Sequence, residues 1–119
     1  MSSEGLLSAA DISVIIPAYQ AEDTIARALD SVLVQTVLPA EIIVIDDGSQ
    51  DRTREVVSAY VAEQTACPIR LFEQENLGAG AARNQGLVAT ESKLVAFLDA
   101  DDEWLPEKLS RSIAAMTGE

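Results

Sequence analysis

The chain has 119 residues, of which 48% are hydrophobic and only 4% aromatic, so we expect one compact domain with an aliphatic core. The formal net charge of -12 argues against a nucleic-acid backbone or an anionic membrane surface as the main partner. The sequence has no histidine and one cysteine, Cys67, which excludes Ser-His-Asp catalysis, typical zinc sites and an intrachain disulfide.

No targeting or membrane-spanning pattern is evident. Residues 1–10 lack the basic stretch and apolar run of a signal peptide, and we expect them to form a loose leader ahead of a domain at 11–119. No apolar run approaches the length of a membrane span. Nothing implies an oxidising compartment. Because the chain has no histidine to activate a thiol, we expect Cys67 to be a packing residue rather than a nucleophile. The expected location is cytoplasmic, with peripheral membrane contact as an option for a full-length protein.

Short apolar runs alternate with amphipathic segments along the chain. The first run, 12–16, is almost entirely β-branched and is followed by Pro17, which predicts a strand that ends there. Residues 22–35 place apolar side chains on one face and two acids in the first turn, which predicts a helix. The second apolar run ends at Asp46-Asp47-Gly48-Ser49, where the glycine suits a turn of positive φ.

The alternation continues to the last residues. Further elements are predicted as strands at 41–45, 69–72 and 94–98, and as helices ending near residue 63, at 79–89, and from Pro106 at the first helical position. The run at 94–98 is expected to be buried on both faces. The order β-α-β-α-β-α-β-α predicts an α/β fold of three layers, α/β/α, with a mainly parallel, Rossmann-like sheet of strand order 3-2-1-4.

Two groups of carboxylates follow predicted strands. Asp99-Ala100-Asp101 follows the fourth strand, and Asp46-Asp47 follows the second. Crowded carboxylates raise each other's pKa, and a divalent cation such as Mg2+ or Mn2+ relieves that cost. The structural alternative is a solvated acidic loop that stops a strand. Because ligands bind at the carboxyl ends of parallel strands, in the crevice between strands 1 and 4, the two groups together favour a metal or ligand site.

Three further features each allow a functional and a structural interpretation. Tyr19 either stacks on a base or packs on its own loop. Asp47 either accepts a hydrogen bond from a base N–H or a ribose hydroxyl, or it forms a turn. The glycine-rich loop at 76–86 either brings backbone N–H groups and Arg83 to a diphosphate, or is a tightly packed helix start.

Five segments, in order, resemble the family 2 glycosyltransferases. They are 14–20, 31–36, 41–49 ending in Asp-Asp-Gly-Ser, Asn76-Leu77-Gly78 with 82–86, and 97–102 with Asp-Ala-Asp-Asp. One departure is Gln20, where the common family form has Asn. The resemblance covers residues 11 to about 116. It implies a GT-A fold, here as the donor-binding half of a nucleotide-diphospho-sugar transferase, and transfer of a sugar with inversion from a nucleotide sugar to an acceptor hydroxyl.

The resemblance also implies roles for individual residues. The donor nucleotide would be bound by Pro17, Ala18, Tyr19, Asp46, Asp47, Gly78, Arg83, Asp99 and Ala100, and a Mg2+ or Mn2+ ion bridging the diphosphate by Asp101 with Asp99. UDP is the default nucleotide, thymidine suits Asp47 equally well, and guanosine stays open. The family places its catalytic base and acceptor pocket in a second half, so we expect this chain to carry the donor site only and to be inactive alone.

Other expectations concern partners and competing classes. The acceptor would be a carbohydrate, a lipid carrier or a protein, in keeping with cell-envelope polysaccharide synthesis, and no nucleic acid is expected. The uncovered sheet edge beside the fourth strand predicts self-association. A nicotinamide-dependent oxidoreductase is excluded because Pro17-Ala18-Tyr19-Gln20 stands where Gly-x-Gly-x-x-Gly is required. The main alternative is a non-catalytic nucleotide- or metal-binding α/β module.

Overall fold

The computed structural model describes residues 8–63 and 66–116. Its elements are a 3-10 helix at Ala9–Asp11, then β1 Ile12–Ala18, α1 Ile25–Leu33, β2 Glu41–Asp46, α2 Thr53–Ala62, β3 Ile69–Glu73, α3 Ala79–Ala89, β4 Leu94–Phe97 and α4 Lys108–Met116. In the 3-10 helix Ala9 is buried. The rest of the predicted leader, 1–7, lies outside the described residues.

Within the described ranges, four parallel strands form one sheet of order β3-β2-β1-β4. The central strands are apolar on both faces because both faces are covered. On one face, Val14 and Ile16 of β1 share a core with Leu29 of α1 and Val57 of α2. On the other face, Ile15 packs with Ala82 of α3. The predicted α/β class, three-layer arrangement and strand order are therefore confirmed.

Strand β4 differs from its prediction. It was expected to be buried on both faces, but Leu94 to Ala96 are half-buried and Phe97 is 41% exposed. The reason is its position, since β4 lies at the end of the strand order and β1 is its partner among the described strands. The expectation of double burial was wrong, whereas the expectation of an open sheet edge beside the fourth strand is confirmed.

Helix boundaries also shifted. The first helix was predicted to span 22–35 but begins at Ile25, because residues 22–24 form a turn. The last helix begins at Lys108 rather than at Pro106, whose carbonyl accepts a hydrogen bond from the Thr36 N–H at 2.9 Å. Local sequence rules therefore placed both helix starts too early, and they placed the end of the first helix, which is at Leu33, too late.

Two further findings concern the thiol of Cys67 and the length of the helices. Burial raises the pKa of the Cys67 thiol to about 11, and the nearby Glu41 charge adds to the effect. This supports the predicted packing role, because the nucleophilic form of a cysteine is the thiolate. None of the helices in the described part of the chain is long and apolar enough to cross a membrane.

Candidate functional site

A cleft of about 440 Å³ opens at the carboxyl edge of the sheet, between the ends of β1 and β4. Its walls are formed on the β1 side by Pro17, Tyr19, Gln20, Ala21 and Thr24, and on the β4 side by Asp99, Ala100 and Asp101. The Leu98 N–H donates to the Ile15 carbonyl at 3.1 Å, which carries the chain after β4 alongside β1. The crevice predicted between strands 1 and 4 is thus present, and it gathers Tyr19 with the acidic segment.

The acidic segment presents its carboxylates outward. Ala100 is buried in the core, whereas Asp99 and Asp101 on either side of it are exposed. The Asp99 carboxylate lies 3.6 Å from the Arg83 guanidinium. The Asp101 carbonyl accepts a hydrogen bond from Arg27 of α1 at 3.2 Å. The two exposed residues therefore border the cleft, with the Asp99 carboxylate beside Arg83 and the Asp101 backbone held by Arg27.

The donor set suits a cation that is shared with a ligand. Among residues 8–63 and 66–116 there is no cluster of three or more Asp, Glu, His or Cys side chains placed to hold a metal ion. Mg2+ is commonly bound through one or two carboxylates together with substrate phosphates, and it retains several waters. Asp99 and Asp101 fit that mode, because they supply hard oxygen ligands from one exposed segment.

Asp47 organises the loop that precedes α3. One of its carboxylate oxygens, Oδ1, accepts hydrogen bonds from the Leu77 N–H at 2.7 Å and the Gln74 amide at 2.8 Å, and Oδ2 accepts from the Gly78 N–H at 3.0 Å. Burial by itself raises the pKa of Asp47, but these hydrogen bonds outweigh it and hold the pKa below its usual value. The Asp47 carboxylate therefore holds a distant loop, whereas within the turn 46–49 it is Asp46 that accepts from the Ser49 N–H. A nucleoside contact of Asp47 stays a prediction.

Position 78 requires glycine because of its backbone conformation, and not because a side chain would lack space. It has φ 100° and ψ 162°, a conformation that L side chains rarely adopt, and an added Cβ would meet nothing within 4 Å. Gly78 stands immediately before α3, the helix that carries Arg83. Asp47 therefore fastens the start of α3 to the end of β2, and Arg83 of α3 lies next to the cleft through its contact with Asp99. Neither Gly78 nor Asp47 lines the cleft.

Asp46 and Ala18 face the interior. The Asp46 carboxylate is fully buried; Oδ2 accepts from the Ser49 N–H at 3.1 Å and lies 3.7 Å from Arg54, while Oδ1 has no hydrogen-bond partner among the described residues. The Ala18 side chain is in the core, and its carbonyl accepts from the Asp47 N–H at 2.8 Å. Neither side chain is exposed in the cleft, although both belong to the predicted nucleotide-binding set.

Gln20 contributes to the site in a way that the sequence did not indicate. Its φ of 52° lies in the left-handed region, its N–H donates to Ser49 Oγ at 2.9 Å, and its side-chain oxygen accepts from the Gln50 N–H at 2.5 Å. It thereby joins the loop after β1 to the loop after β2. The available signal was the Asn of the family form at this position, because Asn tolerates positive φ better than most residues.

Known proteins that resemble the chain are glycosyltransferases. The family model for glycosyl transferase family 2 matches residues 13–119. The chain is 41% identical over 106 residues to UDP-Glc:alpha-D-GlcNAc-diphosphoundecaprenol beta-1,3-glucosyltransferase WfgD of Escherichia coli, an alignment that covers 88% of this chain and 40% of that protein.

Two solved structures share the fold. The S. aureus protein TarS 1-349 in complex with UDP-GlcNAc is 31% identical with a TM-score of 0.79, over 90% of this chain and 31% of that one. The mannosyltransferase PcManGT of Pyrobaculum calidifontis in complex with GDP-Man and Mn2+ is 28% identical with a TM-score of 0.77, over 88% of this chain and 31% of that one. The chain spans between 27% and 41% of the length of four curated relatives.

Proposed function

The chain belongs to glycosyl transferase family 2, and we propose that it carries the donor site of an inverting glycosyltransferase, with a nucleoside diphosphate sugar as donor and UDP as the default nucleotide. The observation that carries the proposal is the cleft between β1 and β4, which gathers Tyr19, Asp99 and Asp101. TarS is seen with UDP-GlcNAc and PcManGT with GDP-Man, so relatives use both uridine and guanosine donors.

In this proposal the nucleoside lies against the end of β1. The Tyr19 side chain is 52% exposed beside Pro17, so its ring is available to stack on a base. Asp47 Oδ2 accepts one hydrogen bond from Gly78, which leaves a lone pair for a base N–H or a ribose hydroxyl. Ala18 and Asp46 would act indirectly, by fixing the ends of β1 and β2 behind the nucleoside.

The diphosphate would lie between α3 and the acidic segment. Arg83 can donate paired hydrogen bonds to phosphate oxygens, and its present partner Asp99 is only 3.6 Å away at the edge of the cleft. Gly78 precedes the first turn of α3, where the helix dipole favours an anion and where the lack of a side chain allows close approach. Asp99 and Ala100 would then border the ribose.

Asp101, with Asp99, would hold a Mg2+ or Mn2+ ion. Such an ion, when bound, neutralises charge on the departing nucleoside diphosphate. The acidic segment and a diphosphate carry charges of the same sign, so these carboxylates repel the donor unless a cation lies between them. The Mn2+ complex of PcManGT supports a metal at this type of site, and either metal suits carboxylate ligands.

Acceptor recognition and the catalytic base are proposed to require residues beyond this chain. Inversion needs a base that deprotonates the acceptor hydroxyl on the face opposite the leaving group. The E. coli relative, of which the chain spans 40%, acts on UDP-Glc and a lipid-linked acceptor, alpha-D-GlcNAc-diphosphoundecaprenol. By analogy, we propose a carbohydrate, lipid-carrier or protein acceptor in cell-envelope polysaccharide synthesis, and donor binding without transfer by the isolated chain.

Two further parts of the proposal concern surroundings. A cytoplasmic location, with peripheral membrane contact as an option for a longer protein, is proposed because the single cysteine can form no intrachain disulfide. Self-association is supported by the open edge of β4 and the exposed ring of Phe97.

Calorimetric titration of UDP tests the donor site. We expect binding with Mn2+, loss of binding with EDTA, and loss of binding with Asp101→Ala in the presence of Mn2+. The matched control is Asp102→Ala, which removes the same charge from the next residue, outside the cleft, and should bind UDP as the unaltered chain does. Binding that is equally strong in EDTA, or equally weakened by both variants, would contradict the assigned metal ligands.

A further inference from the structure

One buried amide joins the end of α1 to the residues that follow the acidic segment 99–102, here called the acidic loop. The Gln35 side chain is 6% exposed and lies just after α1. Its Nε2 donates to the Leu105 carbonyl at 2.7 Å and to the Ser31 carbonyl at 3.0 Å, and its Oε1 accepts from the Leu109 N–H at 3.0 Å. Donors and acceptor of this amide are therefore all used, and they join α1 to the start of α4.

A second contact, from within α1, reaches Asp101 itself. Arg27 donates to the Asp101 carbonyl at 3.2 Å and lies 3.7 Å from the Glu103 carboxylate. At the other end of the loop, Leu98 is bonded to β1. The acidic loop is thus held at its start by the sheet, at Asp101 by Arg27, and beyond it by Gln35.

We propose that Gln35, with Arg27, positions the Asp101 carboxylate for the metal, and that α1 thereby fixes the geometry of the donor site. The inference rests on the metal role proposed above for Asp101. This role would also explain the family-like segment 31–36, to which the sequence alone assigns no function. Exposed carboxylates on a loop bind a metal well only when the loop is already in the binding geometry, and groups that orient a metal ligand typically change metal affinity about 10–100-fold when they are removed.

The chain carries its own reporter for this test. Trp104 is the only tryptophan in the sequence, it is half-buried against the core, and it lies between Asp101 and Leu105. Its fluorescence therefore reports the position of the acidic loop. Gln35→Met has a side chain of similar length that makes none of the three hydrogen bonds, so it releases the loop without emptying the site.

The experiment measures the Mn2+ dissociation constant at saturating UDP and Trp104 emission for the unaltered chain and three variants. For Gln35→Met we expect a red-shifted emission and a Mn2+ dissociation constant about 10–100-fold higher, with any weak UDP affinity in EDTA unchanged. Arg27→Met, at an exposed position, should change in the same direction by a smaller factor. Thr36→Val is the matched control, because it removes an exposed 3.4 Å contact to Ser110 and leaves the Thr36 N–H bond to Pro106 in place.

The possible results separate the two proposals. If the unaltered chain shows no Mn2+-dependent UDP binding, the proposed function fails, and the positioning role fails with it. If it does, and Gln35→Met keeps the circular dichroism of the folded chain but binds Mn2+ within about twofold of the unaltered value, the positioning role alone is overturned. Should Gln35→Met not fold, Arg27→Met decides, and an unchanged Mn2+ affinity there overturns the role of α1.

Discussion

Two glycines of α3 offer a paired test of how tightly this helix packs on the sheet. A Cβ added to Gly86 would stand 2.5 Å from Cγ2 and 3.0 Å from Cδ1 of Ile15, a fully buried residue of β1. A Cβ added to Gly80 in the same helix would meet nothing within 4 Å. The substitution is the same at both positions, so the difference between the two variants isolates the contact with Ile15.

The expected sizes follow from two opposing effects. Gly→Ala within a helix stabilises by up to about 1 kcal/mol, which Gly80→Ala should show in part, since it lies in the first turn. Gly86→Ala should gain a similar amount, but forcing α3 away from Ile15 costs about 1–3 kcal/mol, as overpacking of a well-packed core does. Gly86→Ala should therefore be about 1–3 kcal/mol less stable than Gly80→Ala in urea unfolding.

The same pair tests the site. If α3 moves outward, Arg83 moves with it, so Gly86→Ala should also weaken Mn2+-dependent UDP binding, while Gly80→Ala should not. Equal urea midpoints for the two variants would refute the close packing of α3 against Ile15. A clear loss of stability with unchanged UDP affinity would instead refute the link between the seat of α3 and the placing of Arg83.

Three other predictions address the loops and the open edge. Asp47→Asn should cost about 1.5–3 kcal/mol of stability. It should also reduce the loss of stability at acid pH, because a carboxyl with a lowered folded-state pKa stabilises the fold above its unfolded pKa of about 3.8 and loses that contribution as pH falls through the folded value. Urea midpoints across the acid range measure both effects, and an unchanged loss of stability at acid pH would count against the Asp47 hydrogen bonds. Ser49→Ala leaves the Gln20 N–H without its acceptor and should cost about 1–3 kcal/mol in urea unfolding. Ser112→Ala, which removes a solvent-exposed hydrogen bond from a half-buried residue, should cost no more than about 0.5 kcal/mol, and equal costs would contradict the link between the two loops. The chain should self-associate at high concentration and become monomeric with Phe97→Lys, and a strictly monomeric scattering profile of the unaltered chain at high concentration would contradict pairing at the β4 edge.

The features of the fold that could be predicted are those that depend on patterns of neighbouring residues. Apolar runs of strand length alternating with amphipathic segments indicated the order of elements, and right-handed crossovers limited the strand order. The bounds of α3, Ala79–Ala89, matched because the glycine-rich loop before it is a local signal. The burial of β4 was not local: Phe97 is apolar, and whether it is covered depends on which strand lies beyond it.

The site divides in the same way. Adjacent acids cannot be told apart from composition, yet Asp46 points into the protein and Asp47 bonds the loop before α3. The start of α4 depends on Gln35, which lies 74 residues earlier in the chain, because the Leu109 N–H donates to the Gln35 side chain. A hydrogen bond between residues so distant in sequence forms only in the folded chain. The preference for proline at the first position of a helix is a local rule, so it could not predict this bond.

The residues that carried the resemblance perform two kinds of task. Tyr19, Asp99 and Asp101 stand at the cleft, where a ligand would contact them. Gln35 instead holds a loop, because it ties the segment before α4 to α1. Asp47 does both, since it ties the segment before α3 to β2 and is also proposed to contact the nucleoside. Removing Tyr19, Asp99 or Asp101 should abolish a ligand contact, whereas removing Gln35 should leave the ligand contacts available but misplace them. We therefore expect the loss of a cleft carboxylate to raise the Mn2+ dissociation constant more than the loss of Gln35 does, and titration with Mn2+ at saturating UDP measures that difference.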